Sequence, residues 1–423
     1  MPLINKVNLR VWNKMAHFSR TKLVVIASFG LLLFLLGGCA STKGGKLPTE
    51  KNREAAIRVF QEGVELLYLD NEAALDKFDE ASAIDPSFFP AFFDAGVALE
   101  ALGKLEDASK RYEACLAIQK EQENCLSNLL LVKAKLNQTE DARNLLQRYL
   151  TESKDAPFAM AAAAELALYE KNYADAEKWA RQVLEREAEN VRALYVMARV
   201  FYAKKRFYAA KWVLKNALEI APSHGGLYLI LGHVYMALDL VQDALDAYAL
   251  AMKYQPTDEA LESYGLLLLK RGRAKEALPI LKRLSEMRPE VERNFLHLGN
   301  AYFANNLFDE AKAAYDKARL LNPEDKDVLF NLGLLFLNLK PKDVPEIERL
   351  KTAQGYFKSC LEPKDVPKER VKEAEGYLKT LERKIESEEY REQAEKEAAE
   401  RAKEESSEPE KNDTGAPEGQ GNE

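Results

Sequence analysis

The chain has 423 residues, 47% of them hydrophobic and 30% charged, with 16 prolines and 20 glycines spread thinly. That composition suits a helical protein, built either as two or three domains or as one extended array. A net charge of −7 gives no basic footprint and excludes nucleic acid as a partner.

The first element is apolar. Leu23–Leu36 runs for 14 residues, short of the ~20 that span a bilayer core. Lys6, Arg10, Lys14, Arg20 and Lys22 precede it, and no acid stands before Cys39, the layout of a secretory signal. Leu36–Gly37–Gly38–Cys39 then resembles the lipobox of bacterial lipoproteins. The resemblance implies that residues 1–38 are removed and that a covalent lipid is attached at Cys39, with no other cofactor. Ala40 follows where that family's inner-membrane retention signal is usually Asp, which implies the outer membrane and a chain facing the periplasm. An uncleaved anchor with a chance cysteine is the alternative. Residues 39–53 read as a flexible leash.

From residue 54 the chain repeats. Leu231–Pro256 and Leu298–Pro323 share Leu-Gly-x-x-Tyr followed by Ala, Tyr, Ala and Pro at the same places. Ala74, Ala108, Ala142, Ala176, Ala210, Ala244, Ala277 and Ala311 advance by 34 residues, with a single step of 33. A ninth unit starts at Gly333, takes an insertion, and resumes at Ala353 and Phe357. The pattern resembles the tetratricopeptide repeat, a helix–turn–helix unit. It predicts an all-α solenoid of about nine repeats over 54–363, because no unit buries its apolar face alone. Leu130 and Ala164 stand where Gly is expected, so the third and fourth units match least.

At the end, Val371, Ala374, Tyr377, Leu378, Leu381 and Ile385 fall at helical spacing and predict a helix over 364–395 that caps the last repeat. Residues 396–423 read as a disordered acidic tail. From Ile385 onward 14 acidic residues face 5 basic ones, a net of −9 against −7 for the whole chain, so the acidity is a property of this end.

Chemistry-bearing clusters are missing. Four histidines are scattered, no Cys/His set has metal spacing, and His224 in "PSHGGLY" reads as an inter-repeat turn; no catalytic residue, metal site or small-molecule substrate is expected. Cys115 and Cys125 lie at the end of one unit and the start of the next, and read as small buried residues or as a disulfide in an oxidising compartment. In tetratricopeptide proteins the first helix of each unit lines the concave face. By that resemblance the protein-binding groove here includes Phe93, Tyr195, Arg199, Tyr202, His233, Met236, His297, Asn300 and Phe303. Asn300 and Asn331 match two places of a carboxylate clamp found in some members, but Leu296 replaces its key Lys. The implied partners are other envelope proteins or peptides, bound by a lipid-anchored scaffold that assists assembly of an envelope machine. An adaptor for peptidoglycan enzymes and a glycan or extracellular-ligand receptor are the alternatives.

Overall fold

The computed structural model describes residues 50–407, apart from 154–155, 340–343 and 363–365. Cys39, the leader and residues 408–423 lie outside the described residues. The described residues form 19 α-helices and no strand, in two compact units divided between Thr257 and Asp258.

The first unit holds six hairpins. They are α1 (Glu50–Leu66) with α2 (Asn71–Ile84), α3 (Phe89–Ala101) with α4 (Leu105–Ile118), and α5 (Glu123–Lys135) with α6 (Thr139–Glu152). Then come α7 (Pro157–Tyr169) with α8 (Tyr173–Arg186), α9 (Val191–Ala203) with α10 (Phe207–Ile220), and α11 (Gly225–Ala237) with α12 (Val241–Tyr254). The second unit holds α13 (Asp258–Lys270) with α14 (Ala274–Met287), α15 (Glu292–Ala304) with α16 (Phe308–Leu321), and α17 (Lys326–Asn338) with α18 (Glu346–Ser359). The long α19 (Lys368–Ser407) follows. Within each unit the hairpins stack in chain order, as in an α-solenoid.

The recurring alanines explain the stacking. All eight are fully buried, at 0% exposure, because only a methyl fits where two helices cross. Opposite the crossing at Gly63, Gly96, Gly232, Gly299 and Gly333, the glycine receives an aromatic ring. A Cβ placed on Gly96 would lie 2.5 Å from the Tyr112 ring, inside any real carbon contact. Gly96→Ala should therefore cost about 1–3 kcal/mol through overpacking, read as a lower urea midpoint; an unchanged midpoint would show that the ring swings aside. The third and fourth repeats solve the same crossing differently. Leu130 and Ala164 replace the glycine and are fully buried, while the partner ring position holds Leu146 and Ala180 instead of an aromatic. The backbone carries the same period, since Gly103, Asn137, Lys171, Lys205, Asp239, Gly272 and Asn306 each turn a hairpin with φ between 56° and 73°.

In the first unit the sixth repeat reaches back to the first. Gln255, just past α12, donates from Nε2 to the Tyr68 hydroxyl at 3.2 Å, although the two residues are 187 apart in sequence. The same side chain accepts from the Gly226 N–H at 3.2 Å. Burial pushes the Tyr68 phenol up from its ordinary range, only partly opposed by the Gln255 bond.

Both ends differ from the sequence expectation. α1 begins at Glu50, inside the stretch read as a leash, with its carboxylate at the positive end of the helix. α19 continues to Ser407, beyond the expected limit of 395. Its outer part is made of Ala, Glu, Lys and Arg, and Arg391–Glu395 at 3.6 Å and Arg401–Glu397 at 3.7 Å join successive turns. Its inner part caps the last repeat. Ala374, Leu381 and Ile385 are buried, and Tyr377 stacks on Phe357 with ring centroids 5.1 Å apart. Cys115 and Cys125 are joined across α4 and α5, with Cα atoms 6.3 Å apart, and Cys360 is a buried free thiol.

Candidate protein-binding surface

In the first unit, α9 and α11 bring four of the expected groove residues together. Tyr195 and Arg199 are one turn apart on α9. Arg199 Nη1 donates to the Tyr195 hydroxyl at 2.9 Å, and its guanidinium lies 5.7 Å from the Tyr195 ring. The next turn presents Tyr202, whose ring meets His233 of α11 edge-on at 6.2 Å. His233 in turn packs edge-on against Tyr248 at 5.5 Å. Arg199 is exposed, while Tyr195, Tyr202, His233 and Met236 are half-buried. The result is an aromatic ledge with one cation, the composition that anchors protein interfaces. Phe93 is apart from it, on α3, half-buried with its ring 5.9 Å from Tyr112.

In the second unit the expected residues are largely engaged within the fold. His297 is only 8% exposed. Its Nε2 lies 3.1 Å from Glu262 Oε1, tying α15 to α13; that bond holds the Glu262 carboxyl below its usual range against the effect of burial. Asn300 is also committed to the fold, because its Oδ1 accepts from the Tyr315 hydroxyl at 2.8 Å and from Asn331 Nδ2 at 2.9 Å, which uses both lone pairs. Phe303 is half-buried against Phe308, centroids 5.6 Å apart. The paired asparagines thus bind each other and the repeat's own tyrosine.

Sequence reasoning missed two features of the first unit. The first is a charge cluster that ties α5, α7 and α9 together. Arg192, in the opening turn of α9, bonds the Glu165 carboxylate of α7, donates to Asn124 Oδ1 at 2.9 Å and stands 3.4 Å from Glu123 Oε1. Asn190 Nδ2 donates to Glu123 Oε2 at 3.0 Å. The Arg192, Glu165 and Glu123 side chains are 17%, 14% and 22% exposed. Burial alone would lower the guanidinium's pKa, but Glu165 and Glu123 outweigh it and hold it raised. Glu123 moves up, because its desolvation exceeds the help from Asn190 and Arg192. The second feature is Asp94, beside Phe93 on α3. It is half-buried, and burial alone pushes its carboxyl up to about 7.

His224 begins α11 as its N-cap; Nδ1 accepts from the Leu227 N–H at 3.3 Å, and desolvation lowers the ring's pKa, favouring the neutral acceptor. Among the described residues no group of three or more His, Cys, Asp or Glu is placed to hold a metal, and no described helix is long and apolar enough to cross a membrane.

Comparison with known proteins agrees with this geometry. Tetratricopeptide repeat families match residues 229–291 and 268–331. The family described as anaphase-promoting complex, cyclosome, subunit 3 matches residues 169–251. Among curated proteins, the BBSome complex member BBS4 of Bos taurus is 26% identical over 148 residues, 34% of this chain and 28% of that one. The Drosophila melanogaster homolog is 24% identical over 143 residues, 33% and 29% of the two chains. The human protein O-mannosyl-transferase TMTC3 is 23% identical over 153 residues, 32% and 17%. The chain therefore spans less than a third of the length of these relatives. Among solved structures, YrrB, described as a TPR protein with an unusual peptide-binding site, is similar at 23% identity and TM-score 0.37, over 44% of this chain and 96% of YrrB. The APC/C heterotetramer Cut9–Hcn1 is similar at 13% identity and TM-score 0.49, over 77% and 76%. The chain carries tetratricopeptide repeats, matched within residues 229–331, and its described residues are all helical.

Proposed function

We propose that this protein is a non-enzymatic scaffold, held in the cell envelope by lipid on Cys39, that grips an extended segment of a partner protein and assists assembly of an envelope machine. The observation that carries the binding part is the ledge of Tyr195, Arg199, Tyr202 and His233, which presents rigid rings and a cation on consecutive first helices. The ledge runs across consecutive first helices, which supports an extended rather than a globular ligand. The curated relatives named as BBSome complex members support an assembly role. The lipid rests on the leader and on Leu36–Cys39 alone.

Arg199→Glu combined with Tyr202→Ala should abolish recovery of crosslinked partners by the full chain while leaving helical content unchanged by circular dichroism. Recovery equal to wild type would remove the ledge from the account. Separately, Cys39→Ala should shift the protein from the membrane to the soluble envelope fraction and remove the diacylglycerol mass from its N-terminal peptide. Unchanged fractionation and mass would end the lipoprotein reading without touching the ledge.

A further inference from the structure

The segment joining α9 to α10, together with the outer face of α10, is dense in cations. Lys204, Lys205, Arg206, Lys211 and Lys215 fall within twelve residues, and no acid occurs between Ala203 and Leu218, in a protein whose net charge is −7. Lys204 is bound to Glu177 of α8 at 2.6 Å. The other four have no carboxylate within ion-pair distance among the described residues; instead Arg206 lies 4.6 Å from the Phe201 ring and Lys211 5.5 Å from the Tyr208 ring.

Two large rings share this face. Tyr208 is 74% exposed and Trp212, one turn later on the same stripe, is 39% exposed. Each belongs to a second helix, away from the ledge formed by the first helices. Acids bound the patch: Glu219 closes α10, and the next second helix, α12, carries exposed Asp243 and Asp246. An outward stripe of Tyr, Lys, Trp and Lys, with a Lys-Lys-Arg turn at one end, joins amphipathic rings to unneutralised cations.

We propose that this face lies on an anionic phospholipid surface, with Lys205, Arg206, Lys211 and Lys215 at the headgroup phosphates and Tyr208 and Trp212 at the acyl boundary. Charge complementarity selects an anionic surface, and the exposed rings select a bilayer over an acidic polypeptide, since Tyr and Trp settle where apolar chains meet polar headgroups. A polybasic face also supplies what a single lipid anchor lacks, a second reversible attachment. This goes beyond the scaffold reading, because it fixes which side of the first unit meets the membrane and leaves the ledge available to a partner.

The test is hydrogen exchange on the full chain reconstituted in vesicles of phosphatidylcholine alone or of phosphatidylcholine with phosphatidylglycerol. Exchange over residues 204–216 should slow about tenfold with phosphatidylglycerol only, and the protection should vanish at high salt. It should also vanish in the variant Lys205→Glu, Arg206→Glu, Lys211→Glu and Lys215→Glu, whose circular dichroism should match wild type. Equal exchange in both vesicles, or protection that ignores lipid charge, overturns the proposal. Protection appearing only when a protein partner is added, with phosphatidylglycerol vesicles inert, overturns it in favour of an acidic protein. Since the comparison is between lipid compositions, it reads this face whether the chain is held by acylated Cys39 or by an uncleaved leader.

Discussion

Asp94→Asn should stabilise the protein above pH 7. Burial raises this carboxyl from the ordinary 3.8 to about 7. Between those values the folded chain binds the proton more tightly than the unfolded one, so the contribution of Asp94 to stability falls as pH rises from 4 towards 7, and stays low above 7. A rise of that size corresponds to a ceiling of about 4 kcal/mol, and solvent access at a half-buried site reduces the expected gain to about 2 kcal/mol. Asparagine keeps the shape and removes the charge. Urea unfolding of both proteins at pH 4 and pH 8 is the measurement: the variant should gain at pH 8 and match wild type at pH 4. Parallel curves at the two pH values would mean that Asp94 ionises in the fold as freely as in water.

Arg192→Ala is expected to have the opposite sign and a larger size. It leaves Glu165 and Glu123 facing each other across α7 and α5 with no cation between them, and it strips Asn124 of its donor. Removing one member of a buried ion pair costs about 3–5 kcal/mol, and the expected loss here is about 3 kcal/mol at pH 7. The loss should shrink at pH 5, where the stranded Glu123 carboxyl, already raised by burial, takes up a proton. Combining Arg192→Met with Glu165→Gln and Glu123→Gln should recover most of the stability, because neither stranded carboxylate then carries a charge. A single variant that unfolds like wild type would show that water replaces the guanidinium and that the cluster is decorative.

The fold was legible because a fully buried alanine recurs at the same place in eight repeats, from Ala74 to Ala311, even where the facing glycine and ring are replaced. The capping helix was legible for a related reason: Ala374, Leu381 and Ile385 keep an apolar stripe where the rest of α19 has none. The polar interior was not legible. Arg192 meets Glu165 at a separation of 27 residues and Glu123 at 69, neither a multiple of the repeat, since the contact runs diagonally across neighbouring first helices. The pairing of His297 with Glu262 was not legible either, because it depends on a second residue, on the preceding first helix, that the repeat pattern leaves variable. Asp94 did leave a signal, as the lone acid amid "FPAFFDAGVAL"; a carboxylate in so apolar a stretch is either paired or desolvated, and here it is desolvated.

The bond between Gln255 and Tyr68 has a bearing on how the first unit comes apart. A row of hairpins that touch only their neighbours behaves as a one-dimensional chain of coupled elements, and its outermost members melt first. Linking the first element to the sixth converts that row into a loop with no outermost member, so opening either end requires breaking two boundaries at once. Thermal loss of these six hairpins should therefore be more nearly all-or-none than their architecture alone implies, with Gln255→Ala restoring gradual unzipping.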